Sequence, residues 1–219
     1  MKEESDNRSL EDEIVHPSTA SSTIANGEIL VVSEDINGAN HGDVLISSAT
    51  NPSKTVYQVT SNISINRRKP KLVLSHDGKL IAHLFHHWMT GYKIGVDRYG
   101  SGDESRMQWV ELKRDGFATL KKSYSFDWNG RTYILARMRG ENGHGTDSEL
   151  NKGWRNYKVV EKDGEPVAIF TADASEKDKG ILALRSGLDP DVKVFAVIAI
   201  MEWREVARRQ RHTAGGVVS

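Results

Sequence analysis

The stretch that decides the fold is VFAVIAIM, residues 194–201, near the C-terminal end of the chain. It follows Asp189-Pro190-Asp191, which supplies an N-cap residue, a proline suited to the first helical position and an acid near the positive end of the helix dipole. We therefore predict a helix over about residues 190–211. Its first half is apolar on every side, and such a helix has to be surrounded by protein.

Strands are the only elements that the rest of the chain offers for this purpose. From Glu28 onward, short apolar or alternating runs are separated by Gly, Asn, Asp and Pro, and about a dozen such runs can be counted. The clearest hairpin turns at Asn129-Gly130, because this pair suits the two positive φ angles of a type I′ turn. A two-residue loop there pairs Trp128 with Arg131 and Phe126 with Tyr133, with the aromatic rings on one face.

Further turn signals predict that the hairpins follow one another as an antiparallel meander. They are Asp77-Gly78, Asp115-Gly116 and Asp163-Gly164. An eight-stranded barrel is filled by its own side chains, whereas roughly twelve strands leave room for a helix about 10–12 Å across. We predict a mainly β domain over residues 28–212, an antiparallel barrel of about twelve strands that encloses the hydrophobic C-terminal helix.

The helix changes character beyond Met201. Trp203, Val206 and Ala207 are expected to face protein, and the arginines are expected to be available to solvent as the helix leaves one end of the barrel. Those arginines are Arg204, Arg208, Arg209 and Arg211. Glu205 is placed to pair with Arg209 at i,i+4.

Composition limits the function classes. The chain of 219 residues carries 30 basic and 30 acidic side chains, so its net charge points to no nucleic-acid partner. The absence of cysteine excludes disulfides and thiolate chemistry and is typical of a reducing compartment. With neither a secretory signal nor a 20-residue apolar segment, we expect a cytoplasmic monomer without a transmembrane segment, located peripherally at membranes if it binds lipid.

Residues 1–25 are rich in Ser, Thr, Asp and Glu and are predicted to form a disordered acidic tail, and residues 213–219 a flexible C-terminal tail.

The series of motifs resembles the tubby-like superfamily, which includes tubby C-terminal domains, plant LURP-one-related proteins and phospholipid scramblases, and in particular a fungal branch of it. The resemblance spans most of residues 28–212. It rests on Thr55-Val56-Tyr57-Gln58-Val59, on Phe126-Asp127-Trp128-Asn129-Gly130-Arg131-Thr132-Tyr133, on Pro166-Val167-Ala168-Ile169-Phe170, on Gly180-Ile181-Leu182-Ala183-Leu184 and on the helix end from Met201 to Arg209. It implies a twelve-stranded barrel threaded by a hydrophobic helix.

Two departures limit what the resemblance implies about activity. The cysteine-rich segment and the calcium-ligand run of scramblases are absent from this sequence, so lipid scrambling is not expected. The phosphoinositide-binding basic residues of tubby proteins have no position-by-position counterpart here. A shared fold does not fix a shared function.

No catalytic, metal or cofactor site is expected. His83 and His87 would share a strand face at about 13 Å, too far apart to hold one metal ion, and we expect the strand histidines to lie on a polar sheet face. Ser75-His76-Asp77 has the residue types of a hydrolase triad but is interpreted as part of a turn. The glycines from Gly140 to Gly145 do not follow a phosphate-binding pattern and are typical of a long loop.

The basic segment Arg67-Arg68-Lys69-Pro70-Lys71 is the candidate binding site, because its four cations could meet phosphate-bearing ligands. A solvated loop without a ligand remains open as an interpretation. Our leading hypothesis is a non-enzymatic tubby-like binding or adaptor domain that contacts anionic phosphoinositide headgroups through this segment. The alternatives are a structural or protein-interaction domain that reads its partner through residues 140–154 and, last, a hydrolase.

Overall fold

The structure is a computed structural model of the chain. It describes residues 24, 27–35, 43–62, 69–87, 91–115, 123–138, 156–162, 164–173 and 179–214, and for residues 87, 115 and 210–214 it describes the backbone only.

Twelve strands and one α-helix make up the described fold. The strands are β1 (Glu28–Glu34), β2 (Val44–Ser48), β3 (Asn51–Ser61), β4 (Leu72–His76), β5 (Lys79–His87), β6 (Gly91–Val96), β7 (Gln108–Asp115), β8 (Ser123–Trp128), β9 (Arg131–Arg137), β10 (Tyr157–Glu161), β11 (Pro166–Ala172) and β12 (Gly180–Leu184). A 3₁₀ turn, Glu104–Arg106, precedes β7, and the helix α1 is Pro190–Ala214.

Each strand pairs antiparallel with the next one along the chain, and β12 pairs with β1 to close the barrel. The predicted antiparallel barrel around a C-terminal helix is therefore confirmed. Closure removes the unpaired strand edges on which other chains could add a strand.

The predicted hairpin joins β8 to β9. Asn129 and Gly130 have φ angles of 49° and 76°, as a type I′ turn requires. Phe126 pairs with Tyr133 and Trp128 with Arg131, so the predicted register is confirmed. The same chemistry recurs between β4 and β5, where Asp77 and Gly78 have φ angles of 48° and 72°.

The core lies between the inner face of the barrel and α1. Every residue from Phe195 to Ile200 is completely buried, which confirms that strands enclose the apolar half of the helix. The ring of Phe195 lies 5.7 Å from that of Phe126 and 4.9 Å from that of Trp128, centroid to centroid. The lumen is thus a packed core, to which each buried large apolar side chain contributes roughly 1.5–3 kcal/mol.

The two ends of the barrel differ. At the end where α1 begins, here called the start rim, β4 to β5 and β8 to β9 are joined by two-residue turns. At the end where α1 leaves, here called the exit rim, the connections between successive strands include segments that lie outside the described residues. These segments are 36–42, 63–68, 88–90, 116–122, 139–155 and 174–178.

The helix begins at Pro190, as predicted, and continues to Ala214, so it includes the first two residues of the predicted C-terminal tail. Of the predicted N-terminal tail only Ile24 is described, and it is buried against Ile169 and Ala183 on the outer wall of the barrel. Ordered packing therefore starts before the predicted domain boundary at residue 28. Residues 1–23 and 215–219 lie outside the described residues.

Candidate functional site: the exit rim

The exit rim brings together basic residues that are far apart in the sequence. Lys71 directly precedes β4, and its ammonium group forms an ion pair with Glu202 of α1, a partner 131 residues away. From the same end of the helix, Arg209 donates from Nη2 to the hydroxyl of Ser61, the last residue of β3, at 3.3 Å. The end of β3, the start of β4 and the C-terminal half of α1 therefore meet at one rim.

The four candidate residues are placed differently. Lys69 is exposed at the exit rim, whereas the side chain of Lys71 is only 19% exposed and turns into the mouth of the barrel. There the Lys71 ammonium also lies 5.2 Å from the ring centroid of Tyr92. Arg67 and Arg68 lie outside the described residues.

Among the described acids of this rim, Glu202 is the most deeply buried, with 1% of its surface exposed. Burial raises the pKa of its carboxyl group above the ordinary value, and the ammonium group of Lys71 opposes that rise. Arg209 and the hydroxyl of Tyr92 also lower this pKa, although no hydrogen bond of normal geometry reaches Oε2 from a described residue. This pair was not predicted from the sequence, although an acid that directly follows an enclosed apolar run needs a cation from the surrounding wall.

One turn further along α1, Glu205 holds two arginines. Its carboxylate accepts from Arg208 at 2.8 and 3.0 Å and from Arg209 at 2.7 Å, so the predicted i,i+4 pair with Arg209 is confirmed. Burial alone would raise the pKa of Glu205, but the hydrogen bonds from these two arginines outweigh it, and the pKa is lowered.

The prediction that the helix arginines are available to solvent is wrong for Arg204. This residue is only 7% exposed, and its Nη2 lies 3.7 Å from Glu34 Oε1. Arg208 is also largely covered, at 3.9 Å from the same carboxylate, while Arg209 is more exposed. The reason is that β1 extends beyond the level of Met201, so its acid Glu34 can receive cations from the helix. The side chain of Arg211 is outside the described residues.

Aromatic rings close the exit rim around the helix. The ring centroid of Trp203 lies 5.7 Å from that of Tyr124 and 5.3 Å from that of Tyr157. The hydroxyl of Tyr157 donates to the backbone carbonyl of Trp203 at 3.4 Å. The polar groups of this rim therefore lie above a layer of packed aromatic rings. We expect a ligand to bind on the rim and not inside the lumen.

The strand histidines occupy separate environments. His86 is exposed, but His83 is buried on the outer wall with its Nδ1 3.6 Å from Glu104 Oε1, so the expectation of a polar sheet face is wrong for His83. Burial lowers the pKa of His83, while Glu104 acts in the opposite direction. The described residues contain no group of three metal-ligating side chains, and the side chain of His87 is not among them.

The residues with triad-like chemistry form the predicted turn. Ser75 and His76 are successive residues of β4 and therefore point to opposite faces, while Asp77 begins the turn. His76 Nε2 lies 3.5 Å from Asp77 Oδ2 at an exposed site. The glycine-containing segment from residue 140 to 154 lies outside the described residues.

The chain matches no model of a known protein family, no curated protein and no solved structure. Among the described residues, no helix combines the length and the apolar character needed to cross a membrane.

Proposed function

We propose that this chain is a non-enzymatic, tubby-like binding module whose exit rim contacts anionic lipid headgroups of the phosphoinositide type. The observation that carries the proposal is that cations from two distant parts of the chain lie at one rim, namely Lys69 and Lys71 in front of β4 and Arg209 near the end of α1. The tubby-like part is supported by the closed twelve-stranded barrel and its enclosed apolar helix, which are what the sequence resemblance implies.

The cations of the exit rim have different tasks in this proposal. Lys71 neutralises the buried Glu202 and anchors the segment in front of β4. Lys69 is exposed beside it, and Arg67 and Arg68 precede it directly in the sequence. These three residues are therefore the expected headgroup contacts, with Lys71 as the positioning residue.

The experiment is vesicle co-sedimentation of the full chain. A triple variant, Arg67→Gln, Arg68→Gln and Lys69→Gln, is compared with a control that removes three exposed cations away from the exit rim, Lys54→Gln, Lys79→Gln and Lys162→Gln. Each cation near an anionic surface contributes about 1 kcal/mol, so the exit-rim variant should bind vesicles with phosphoinositide about 100-fold more weakly. The control should bind nearly like the wild type.

Added salt should weaken the binding, because the contacts are electrostatic. Binding that is indifferent to anionic lipid content, to salt and to the exit-rim substitutions would refute the lipid proposal.

A second function, protein interaction without lipid binding, is favoured by one observation. The longest connection outside the described residues joins β9 to β10, and both strands end at the exit rim, at Arg137 and Tyr157. Replacing residues 140–154 by a short Gly-Ser linker separates the two functions. Lipid binding that survives this replacement supports the headgroup proposal, whereas loss of a defined protein complex with no lipid binding in any variant supports the second function.

A further inference from the structure

A pocket of about 560 Å³ lies at the start rim, away from the exit rim. A volume of this size is typical of sites for small organic ligands. The pocket is formed where β3, β4, β5 and β6 meet the first turn of α1, at the opposite end of the barrel from the exit rim. It is lined by Tyr57, His76, Ile81, Val96, Asp97, Arg98, Leu188, Asp189, Pro190, Asp191, Lys193 and Val194.

The acids of this pocket already have partners. Asp97 is completely buried, and its carboxylate accepts from the backbone N–H groups of Tyr99, Ser101 and Gly102 at 2.6–3.0 Å. These bonds hold the loop that carries Arg98. Asp189 accepts from the backbone N–H of Asp191 at 2.8 Å. The helix start is thus compensated by its own acids and is not the feature that attracts a ligand.

Arg98 lines the pocket and has hydrogen-bond donors that its ion pair does not use. Its Nε donates to both carboxylate oxygens of Asp191, at 2.9 and 2.7 Å, and Nη2 binds the same carboxylate. Asp191 is 2% exposed, whereas the side chain of Arg98 is 51% exposed. The hydrogen bonds of Arg98 use Nε and Nη2, so the outer edge of the guanidinium, with Nη1, can receive a second anion. The buried carboxylate fixes its orientation in advance.

The remaining walls suit an apolar body that carries the anion. Ile81, Val96, Leu188 and Val194 supply aliphatic surface. The ring centroids of Tyr57 and His76 lie 5.3 Å apart, and the imidazole is held because His76 Nδ1 donates to the carbonyl oxygen of Val56 at 2.6 Å. The ammonium of Lys193, bound to Glu28, adds a second cation 6.0 Å from the ring centroid of Tyr57.

We propose that the start-rim pocket binds a small amphipathic organic carboxylate, with its carboxylate on the outer edge of Arg98 and its apolar body between the Tyr57 ring and the aliphatic wall. The fork of an arginine side chain matches a carboxylate in two parallel hydrogen bonds. This site lies at the other end of the barrel from the exit rim and is independent of the lipid proposal.

The experiment compares two probes by isothermal titration calorimetry on the full chain. 1-Naphthoate is an aromatic carboxylate that fits the pocket, and 1-naphthalenemethanol is its neutral counterpart. For a ligand of this size a Kd of about 1 mM or tighter is expected for 1-naphthoate. The neutral probe should bind at least about fivefold more weakly, since it lacks the charge-assisted contact.

Four variants test the assignment, each checked for folding by circular dichroism. Arg98→Lys keeps a cation beside Asp191 but removes the fork, and should weaken 1-naphthoate at least about fivefold. Arg131→Lys is the matched control, because Arg131 also pairs with an acid of the start rim, Glu161 at 3.1 Å, but does not line the pocket. Leu188→Asp should weaken 1-naphthoate much more than the uncharged Leu188→Asn, by repulsion.

Three results would overturn the proposal. They are the absence of 1-naphthoate binding at 10-fold the expected Kd, equal affinity for the neutral probe, and an Arg98→Lys variant that binds like Arg131→Lys.

Discussion

The buried ion pair between Lys71 and Glu202 leads to a sharp prediction about stability. The variant is Lys71→Met, which keeps the length and the apolar stem of the side chain and removes its charge. It leaves the carboxylate of Glu202, 1% exposed, without its ion-pair partner and with only the weaker influence of Arg209. Removing one partner of a buried pair typically costs about 3–5 kcal/mol, and we expect a loss of the free energy of unfolding in that range at pH 8.

The loss should depend on pH with a defined sign. The pKa of Glu202 is raised in the folded chain, so the carboxyl group favours folding below its ordinary value of 4.5 and loses that contribution as the pH rises through the folded pKa. Lys71→Met raises this folded pKa further. The difference in unfolding free energy between wild type and variant should therefore be larger at pH 8 than at pH 5.

Two companion variants complete a double-mutant cycle. Glu202→Met alone should cost less than Lys71→Met, because the flexible stem of Lys71, 19% exposed, lets its ammonium group turn to water. Lys71→Met combined with Glu202→Met should recover at least about 2 kcal/mol relative to Lys71→Met, since replacing both charges by apolar groups is often neutral.

The assay is urea unfolding, followed by tryptophan fluorescence and circular dichroism at both pH values. A stabilising role of the Lys71–Glu202 pair is refuted if Lys71→Met costs less than about 1 kcal/mol at pH 8, if its cost is equal at both pH values, or if the double variant is as unstable as the sum of the single ones.

Three further predictions concern the barrel and its helix. Phe195→Ala should lower the unfolding free energy by about 3–5 kcal/mol in urea, because the residue is completely buried, whereas Tyr99→Ala, at a position 79% exposed, should change it by less than about 0.5 kcal/mol. Gly180→Ala should lower the unfolding free energy by about 1–3 kcal/mol in the same measurement. The added Cβ would lie 2.6 Å from the ring of Phe170 and 2.8 Å from the carbonyl oxygen of Thr171. An unchanged unfolding free energy would contradict this packing. The pKa of Glu205 is lowered in the folded chain, so its carboxylate stabilises the fold above pH 4.5, its ordinary pKa, and loses this contribution as the pH falls through the folded pKa. Glu205→Gln should therefore lose less unfolding free energy than the wild type when the pH is lowered. An equal loss in both proteins would contradict the two arginine contacts.

Much of the fold could be predicted from residues that are close together in the sequence. The proline and acids around residue 190 mark a helix start whatever the tertiary context, because they satisfy or replace the first backbone N–H groups. Asn129-Gly130 specifies a tight hairpin, because its residues adopt positive φ angles at little cost. An apolar run without a polar face has to be enclosed, and only strands were left to enclose it.

The candidate site was predictable only in part. The basic residues at 67–71 are visible in the sequence, but nothing local distinguishes Lys71, which binds a buried acid, from Lys69, which is exposed. The prediction for Arg204 was wrong because the local sequence does not show which partner its side chain meets. Helical periodicity tells which residues share a face but not how far the barrel wall extends along the helix, and that length decides whether Arg204 meets water or Glu34.

The amino-acid sequence alone therefore determined which secondary-structure elements form, their order along the chain and the need to enclose residues 194–201. These features follow from turn chemistry, capping and hydrophobic periodicity over a few neighbouring residues. Tertiary structure alone decided that β12 closes onto β1, that Glu202 meets Lys71 and that Arg98 settles on Asp191 at the mouth of a pocket. These contacts join positions far apart in the chain, and they depend on the register with which the barrel closes, a property that no short segment carries.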